Sequence, residues 1–196
     1  MTRTLVIASN NQHKLSEFRA ILSDHWTVKG ARDLDPQVTW DESGQTFLEN
    51  ARIKIAALRG LTNGYILADD SGLCVDGLGG APGVHSSSFG GIEGDHPRNV
   101  EALLRAMNAL PAGARKAHFY CLLLLSCPDG AELKFEGRCH GVIAASVSGD
   151  GGFGYDPVFV PDGHDRSMAS MPTSLKNSIS HRGVAAALLM SYLKTV

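Results

Sequence analysis

Residues 117–145 set the strongest limit on the fold. The run AHFYCLLLLSC, the turn PDG and the alternating stretch AELKFEGRCHGVIAA read as two long antiparallel strands joined by a tight turn. Ahead of them the chain alternates between strand and helix. RTLVIA at 3–8 reads as a buried strand, a helix follows with Leu15, Phe18, Ile21 and Leu22 on one face, and 26–29 reads as a second strand. After a polar loop over 31–45, a helix over TFLENARIKIAALRG starts near Thr46 and stops at Gly60. YILADD is the next strand and SGLCVDGL a further short one; Asp95 and Pro97 then open a helix through PRNVEALLRAMNAL. Near the end, GDGGFGYDP is a loop entering a strand, and ISHRGVAAALLMSYLK is a closing helix. Strand–helix alternation followed by a long hairpin predicts an α/β fold with a mixed sheet, not a purely parallel one. Such a hairpin projects as its own lobe, and a cleft between lobes is a natural ligand site. No repeat, low-complexity stretch or linker interrupts residues 1–196, which predicts a single domain.

Composition narrows the function. The chain has 196 residues, 43% of them hydrophobic, with a formal charge of −2, so no global basic bias suggests nucleic acid or an anionic membrane as partner. No apolar run reaches the length of a membrane span, and the short apolar stretch at the start is too brief for a secretory signal. Cys74, Cys121, Cys127 and Cys139 show no C-x-x-C spacing and read as reduced thiols of a cytoplasmic protein, not as a zinc site or a disulfide framework.

Five stretches could carry chemistry. In SNNQHK, Ser9–Lys14, a strand passes into a helix, so backbone N–H groups and the helix dipole favour an anion there; Ser9 or Asn10 can cap the helix, and Lys14 adds a charge one turn in. Lys54 lies among Ile53, Ile55 and Ala56, where a lysine ordinarily snorkels to water unless a buried anion draws it inward. Asp69 and Asp70 end a buried strand and need a metal, a lysine or a catalytic task to justify their burial. With Glu42 they are an oxygen donor set suited to Mg²⁺. In GGFGYDP, residues 151–157, glycines allow close approach of a ligand and Phe153 can offer a flat face. Finally, Lys176, His181 and Arg182 crowd donors at the start of an apolar helix, where cations oppose the dipole, so something electron-rich should meet them. No G-x-G-x-x-G or P-loop pattern is present.

SNNQHK, TFLENARIKIA, ADDSG, GGAPGV, GGFGYDP and ISHRG, in this order and spacing, resemble the inosine triphosphate pyrophosphatase family, also called dITP/XTP pyrophosphatases, over nearly the whole chain. The resemblance implies an elongated mixed sheet flanked by helices, with two lobes and a central cleft, in a homodimer. It implies Mg²⁺-dependent hydrolysis of non-standard purine nucleoside triphosphates (ITP, dITP, XTP) to the monophosphate and pyrophosphate. Under it, Ser9, Asn10, Asn11, Gln12, His13 and Lys14 with Lys54 hold the triphosphate. Asp70 accepts the proton of water and binds metal with Glu42 and Asp69. Ser71 contacts substrate, and Phe153, Gly154, Tyr155, Asp156, Lys176, His181 and Arg182 form the base pocket. Three departures stand out: His85 where the family has Tyr, Ser88 where it has a basic residue, and MPTSL before Lys176 where it has acidic residues. Two other functions fit the same residues: a nucleotide-binding module without turnover, and a pyrophosphatase of the same fold acting on pyrimidine or modified nucleotides.

Overall fold

The computed structural model describes residues 3–22, 26–111 and 113–196, and the side chains of His13, Glu17, Ala20 and Ile21 lie outside that description. The expected roles of the His13 and Ile21 side chains therefore fall outside the described residues. The elements in chain order are β1 (Arg3–Ile7), α1 (Gln12–Leu22), β2 (Trp26–Gly30), α2 (Phe47–Arg59), β3 (Tyr65–Val75), α3 (His96–Asn108), β4 (Lys116–Ser126), β5 (Glu132–Ile143), β6 (Phe159–Pro161), α4 (Thr173–Ile179) and α5 (His181–Leu193). The strand order is β2-β1-β3-β4-β5-β6. β1 runs parallel to both β2 and β3, and β5 runs antiparallel to β6, so the sheet is mixed and the α/β expectation holds.

The chain divides into two compact units, each drawn from separate stretches: residues 1–70, 122–136 and 185–196 in one, 71–121 and 137–184 in the other. The first unit has β1 at its centre, with Leu5, Val6 and Ile7 fully buried. Leu15, Phe18 and Leu22 of α1 and Ala51, Ile55 and Leu58 of α2 are buried too, each set at the three- and four-residue spacing of one helix face. Thr46 caps α2: its hydroxyl accepts from the Glu49 N–H while the Glu49 carboxylate accepts from the Thr46 N–H, a reciprocal box that satisfies two helix-end donors. The run Leu122–Leu125 is buried throughout, as a strand covered on both faces requires.

The second unit packs Leu73, Val75, Leu103, Met107, Phe119, Val158 and Phe159 into one cluster. Phe119 meets Phe159 edge-on, ring centroids 4.7 Å apart. From Gly137 onward β5 alternates strictly, with Cys139, Gly141 and Ile143 buried and Arg138, His140 and Val142 exposed, the period of a sheet with one covered face. Asp95 caps α3 by accepting from the Arg98 N–H, with Pro97 in the first turn.

Three sequence readings change. YILADD and SGLCVDGL are one strand of 11 residues, because Gly72 packs so tightly on the Gly83 carbonyl that no side chain fits there; the glycine marks a close approach and not a break. Thr173–Ile179 form a separate helix, α4, where one closing helix beginning at Ile179 was expected. Ser180 then separates the last two helices: its N–H closes α4 on the Lys176 carbonyl, and its hydroxyl caps α5 by accepting from the Gly183 N–H at 3.0 Å.

Candidate active site

In the first unit α1 begins at Gln12, earlier than expected, so Gln12, His13 and Lys14 are its first turn. The cap is Asn11, whose side-chain oxygen accepts from the Lys14 N–H at 3.3 Å, and not Ser9 or Asn10. Ser9 supports the turn instead, accepting from the Asn11 N–H at 3.1 Å. Asn11 wins because a cap bonds the donor three residues on. The Asn10 side-chain oxygen is buried with no hydrogen-bond partner among the described residues.

Lys14 and Lys54 both reach the end of the first unit's β3 segment. Lys14 Nζ lies 2.5 Å from Asp69 Oδ1. Lys54 turns inward and does not snorkel: its Nζ donates to Asp70 Oδ1 at 2.6 Å and to the Asp69 carbonyl at 3.2 Å, and lies 2.8 Å from Glu42 Oε2. The buried anion that the sequence left as the less common alternative is therefore present. Each aspartate meets its own lysine, and Lys54 bridges Asp70 to the loop carboxylate Glu42. Trp40 Nε1 also donates to Glu42 Oε1 at 3.1 Å; the two-residue spacing of Trp40 and Glu42 was a signal the sequence offered.

The electrostatics follow from burial. Desolvation opposes the charge on Lys54, but Asp70 and Glu42 outweigh it and hold the ammonium above its usual range. Burial likewise pushes Glu42 up, and Lys54, Trp40 and Lys14 together bring it below the ordinary carboxylate range. For Asp70 burial prevails over Lys54 and Lys14, and its carboxyl is pushed up to about 6. Asp70 Oδ2 is buried and has no hydrogen-bond partner among the described residues. Three carboxylates against two ammonium groups leave this cluster one negative charge in excess when all are ionised. Among the described residues no group of three or more His, Cys, Asp or Glu side chains is gathered closely enough to hold a metal, and Lys14 occupies Asp69 Oδ1. Mg²⁺ needs no such group, since it keeps waters and takes one or two carboxylates beside substrate phosphates. The unpartnered Asp70 Oδ2, with Glu42 as a second oxygen donor, fits it.

In the second unit the GGFG turn is tied by Asp156, whose Oδ2 accepts from the Phe153 N–H at 2.8 Å and from Lys176 Nζ at 2.6 Å. Gly152 has φ +76°, and any Cβ there would strike Asp156 and crowd Lys176, so only glycine fits. Phe153, half-buried, has Lys176 Nζ 5.1 Å and the Arg182 guanidinium 5.8 Å from its ring centroid, within cation–π range. His181 stacks flat on Phe119, centroids 4.8 Å apart and planes 11° apart. Two aromatic faces are thus part of the electron-rich surroundings these donors needed. His181 and Arg182 are the first residues of α5. Tyr155 spends its hydroxyl on the Ser86 carbonyl at 2.9 Å. Ser71 is half-buried in β3 directly after Asp70, and Gly154 takes φ +63°. His96, which no spacing pointed to, lies 6.1 Å from the Phe153 ring.

The Ham1 family model matches residues 5–192. The chain belongs to the Ham1 family. Among Ham1 relatives, the dITP/XTP pyrophosphatase of Opitutus terrae is 43% identical over 197 residues, covering 96% of this chain and 97% of that one. The dITP/XTP pyrophosphatase of Halalkalibacterium halodurans is 41% identical, covering 90% and 92%. The Ham1 protein of Coxiella burnetii superposes with a TM-score of 0.92 at 35% identity over the full length of both chains. No helix among the described residues of this Ham1 protein is long and apolar enough to cross a membrane.

Proposed function

We propose that this Ham1 protein hydrolyses non-standard purine nucleoside triphosphates, ITP, dITP and XTP, to the nucleoside monophosphate and pyrophosphate, with residues 1–196 acting as one catalytic domain. The observation that carries the reading is the state of Asp70: one oxygen pinned by Lys54, the other buried and unpartnered, with a second lysine, Lys14, on the adjoining aspartate. Such a carboxylate has an oxygen available to accept a proton, and the lysines supply positive charge for phosphate oxygens.

In the reaction, water oxygen bonds to the α-phosphorus, the bond from that phosphorus to the bridging oxygen of pyrophosphate breaks, and the water's proton passes to the Asp70 carboxylate. Lys54 and the Ser9–Lys14 turn, Lys14 included, take the charge of the triphosphate. Mg²⁺, held by Asp70 and Glu42 with Asp69 nearby, supplies further neutralisation of the phosphate oxygens when bound. The second unit reads the base: Phe153 offers the stacking face, and Lys176, His181 and Arg182 donate to the purine O6. An adenine presents an amino group there, and a donor facing a donor leaves buried groups unpaired, which discriminates by orders of magnitude. We read the working form as a homodimer, a state that sedimentation tests directly.

The deciding assay measures pyrophosphate release from ITP, XTP, GTP, ATP and dTTP, with Mg²⁺ and with EDTA. Release from ITP and XTP alone, dependent on Mg²⁺ and without free phosphate, is the expected result. Activity centred on dTTP would overturn the base assignment, and binding without turnover would make the protein a nucleotide-binding module.

A further inference from the structure

The proposed reaction makes no use of two histidines of the second unit. His118 stands on β4 and His140 on β5, strands that are hydrogen-bonded neighbours. Their ring centroids are 5.4 Å apart and their planes 33° apart. Both side chains stand on the open side of the sheet. His140 is exposed between buried Cys139 and Gly141, and His118 is half-buried between buried Ala117 and Phe119.

That separation has a chemical meaning. A tetrahedral cation bound by imidazole sits about 2.0–2.1 Å from each nitrogen, which puts each ring centroid about 3.2 Å from the ion and the two centroids about 5.2 Å apart. The observed centroid spacing of 5.4 Å is close to that value. We propose that His118 and His140 form a two-nitrogen site for a divalent cation of the zinc and copper class, with water in the remaining positions.

The surroundings support this. Burial, the neighbouring His140 ring and Arg138 hold His118 below its ordinary basicity, so its lone pair is available near neutral pH. Arg138 would oppose a second cation, but its guanidinium lies over the Tyr120 ring, 4.8 Å from the centroid. Asp76 acts on His118 in the opposite sense to Arg138, favouring positive charge beside it. Among the described residues no third ligating side chain completes the group, so the site is open on one side. Its nitrogen donors select against Mg²⁺, which prefers oxygen, and for zinc or copper. It is thus chemically distinct from the carboxylate cluster of the first unit, and a bound ion would clip β4 to β5.

The test uses the full chain without a polyhistidine tag. Zn²⁺ binding is measured by calorimetry and by the shift in melting temperature, and Cu²⁺ coordination by electron paramagnetic resonance. The expected result is one ion per chain with two-nitrogen hyperfine structure. His118→Gln and His140→Gln should each weaken binding by more than about 10-fold, since loss even of an outer partner of a ligand costs that much, and each should abolish both the two-nitrogen signature and the thermal shift. His164→Gln should change neither. Binding that survives both ligand variants, a single-nitrogen spectrum, absence of binding, or dependence on His164 would each overturn the proposal. Because His140 is exposed, its variant keeps the test valid should His118→Gln unfold.

Discussion

Replacing Lys54 by methionine tests the electrostatic heart of the first unit. The ammonium sits 2.6 Å from Asp70 Oδ1 and 2.8 Å from Glu42 Oε2, with only 6% of its side chain exposed. At an effective dielectric of about 20 the contact with Asp70 is worth roughly 6 kcal/mol of gross attraction. The net loss is smaller, because an unpaired Asp70 escapes by taking up a proton. Holding that proton costs about 1.4 kcal/mol for each pH unit above the carboxyl's unfolded value. The parent protein already bears this cost up to about pH 6, where Asp70 ionises. The variant goes on bearing it above that point, so the difference grows from near zero at pH 5 to about 3 kcal/mol at pH 8. Half-exposed Glu42 adds little, as surface pairs do. Methionine keeps the length and apolar body of the side chain, so the slope is electrostatic. Urea denaturation in EDTA at several pH values, followed by Trp fluorescence, measures it. A destabilisation independent of pH, or none at pH 8, would refute the reasoning. Asp70→Asn combined with Lys54→Met should remove the slope.

Other outcomes follow from the same geometry. Asp70→Asn should lower kcat by about 10²–10⁴-fold, the range for loss of a positioned proton acceptor, while calorimetry still detects nucleotide binding. The parent's own pH dependence has a definite sign. Because the folded Asp70 pKa lies above its ordinary value of 3.8, at about 6, the folded chain holds this proton more tightly, and stability falls as pH rises between those values and is level above them; Asp70→Asn should flatten that part of a metal-free denaturation series. Gly152→Ala forces a side chain into a φ of +76° and against Asp156, which should cost at least about 1–2 kcal/mol and raise KM for ITP by loosening Phe153 and Lys176. ITP and dITP should turn over at similar rates, and a large ratio between them would show that the 2′-position is read.

Local signals carried most of the fold. Thr46 announced α2, Gly60 ended it, and Asp95 with Pro97 opened α3, because caps act within a few residues of themselves. The alternation in 137–143 and the leucine run in 122–125 each identified a strand. What failed depended on distant chain. Gly72 looks like a break unless one knows that the Gly83 carbonyl presses on it. Lys54 looks like a snorkelling lysine unless Asp70, 16 residues away, is placed beside it. α4 has no capping side chain of its own, so nothing in MPTSL declared it. The individual candidate site residues were named through a resemblance to a family, whereas the Phe119–His181 and His118–His140 pairs arise from contacts that no spacing encodes.

The division of the chain has a consequence for its birth on the ribosome. Every residue of the second unit has been made once synthesis passes residue 184, but the first unit still lacks the stretch 185–196, including the buried Ala185, Ala186, Leu189 and Leu193. β1, although synthesised first, therefore waits for the last turns of α5 before its unit is whole. In a nascent chain the unit holding Phe153 and Arg182 can condense before the one holding Asp70 and Lys54, which reverses the usual amino-to-carboxyl order of co-translational folding. Timed proteolysis of stalled nascent chains should find residues 71–121 and 137–184 protected first. On that order the hydrolytic centre is assembled only once residues 185–196 have left the exit tunnel.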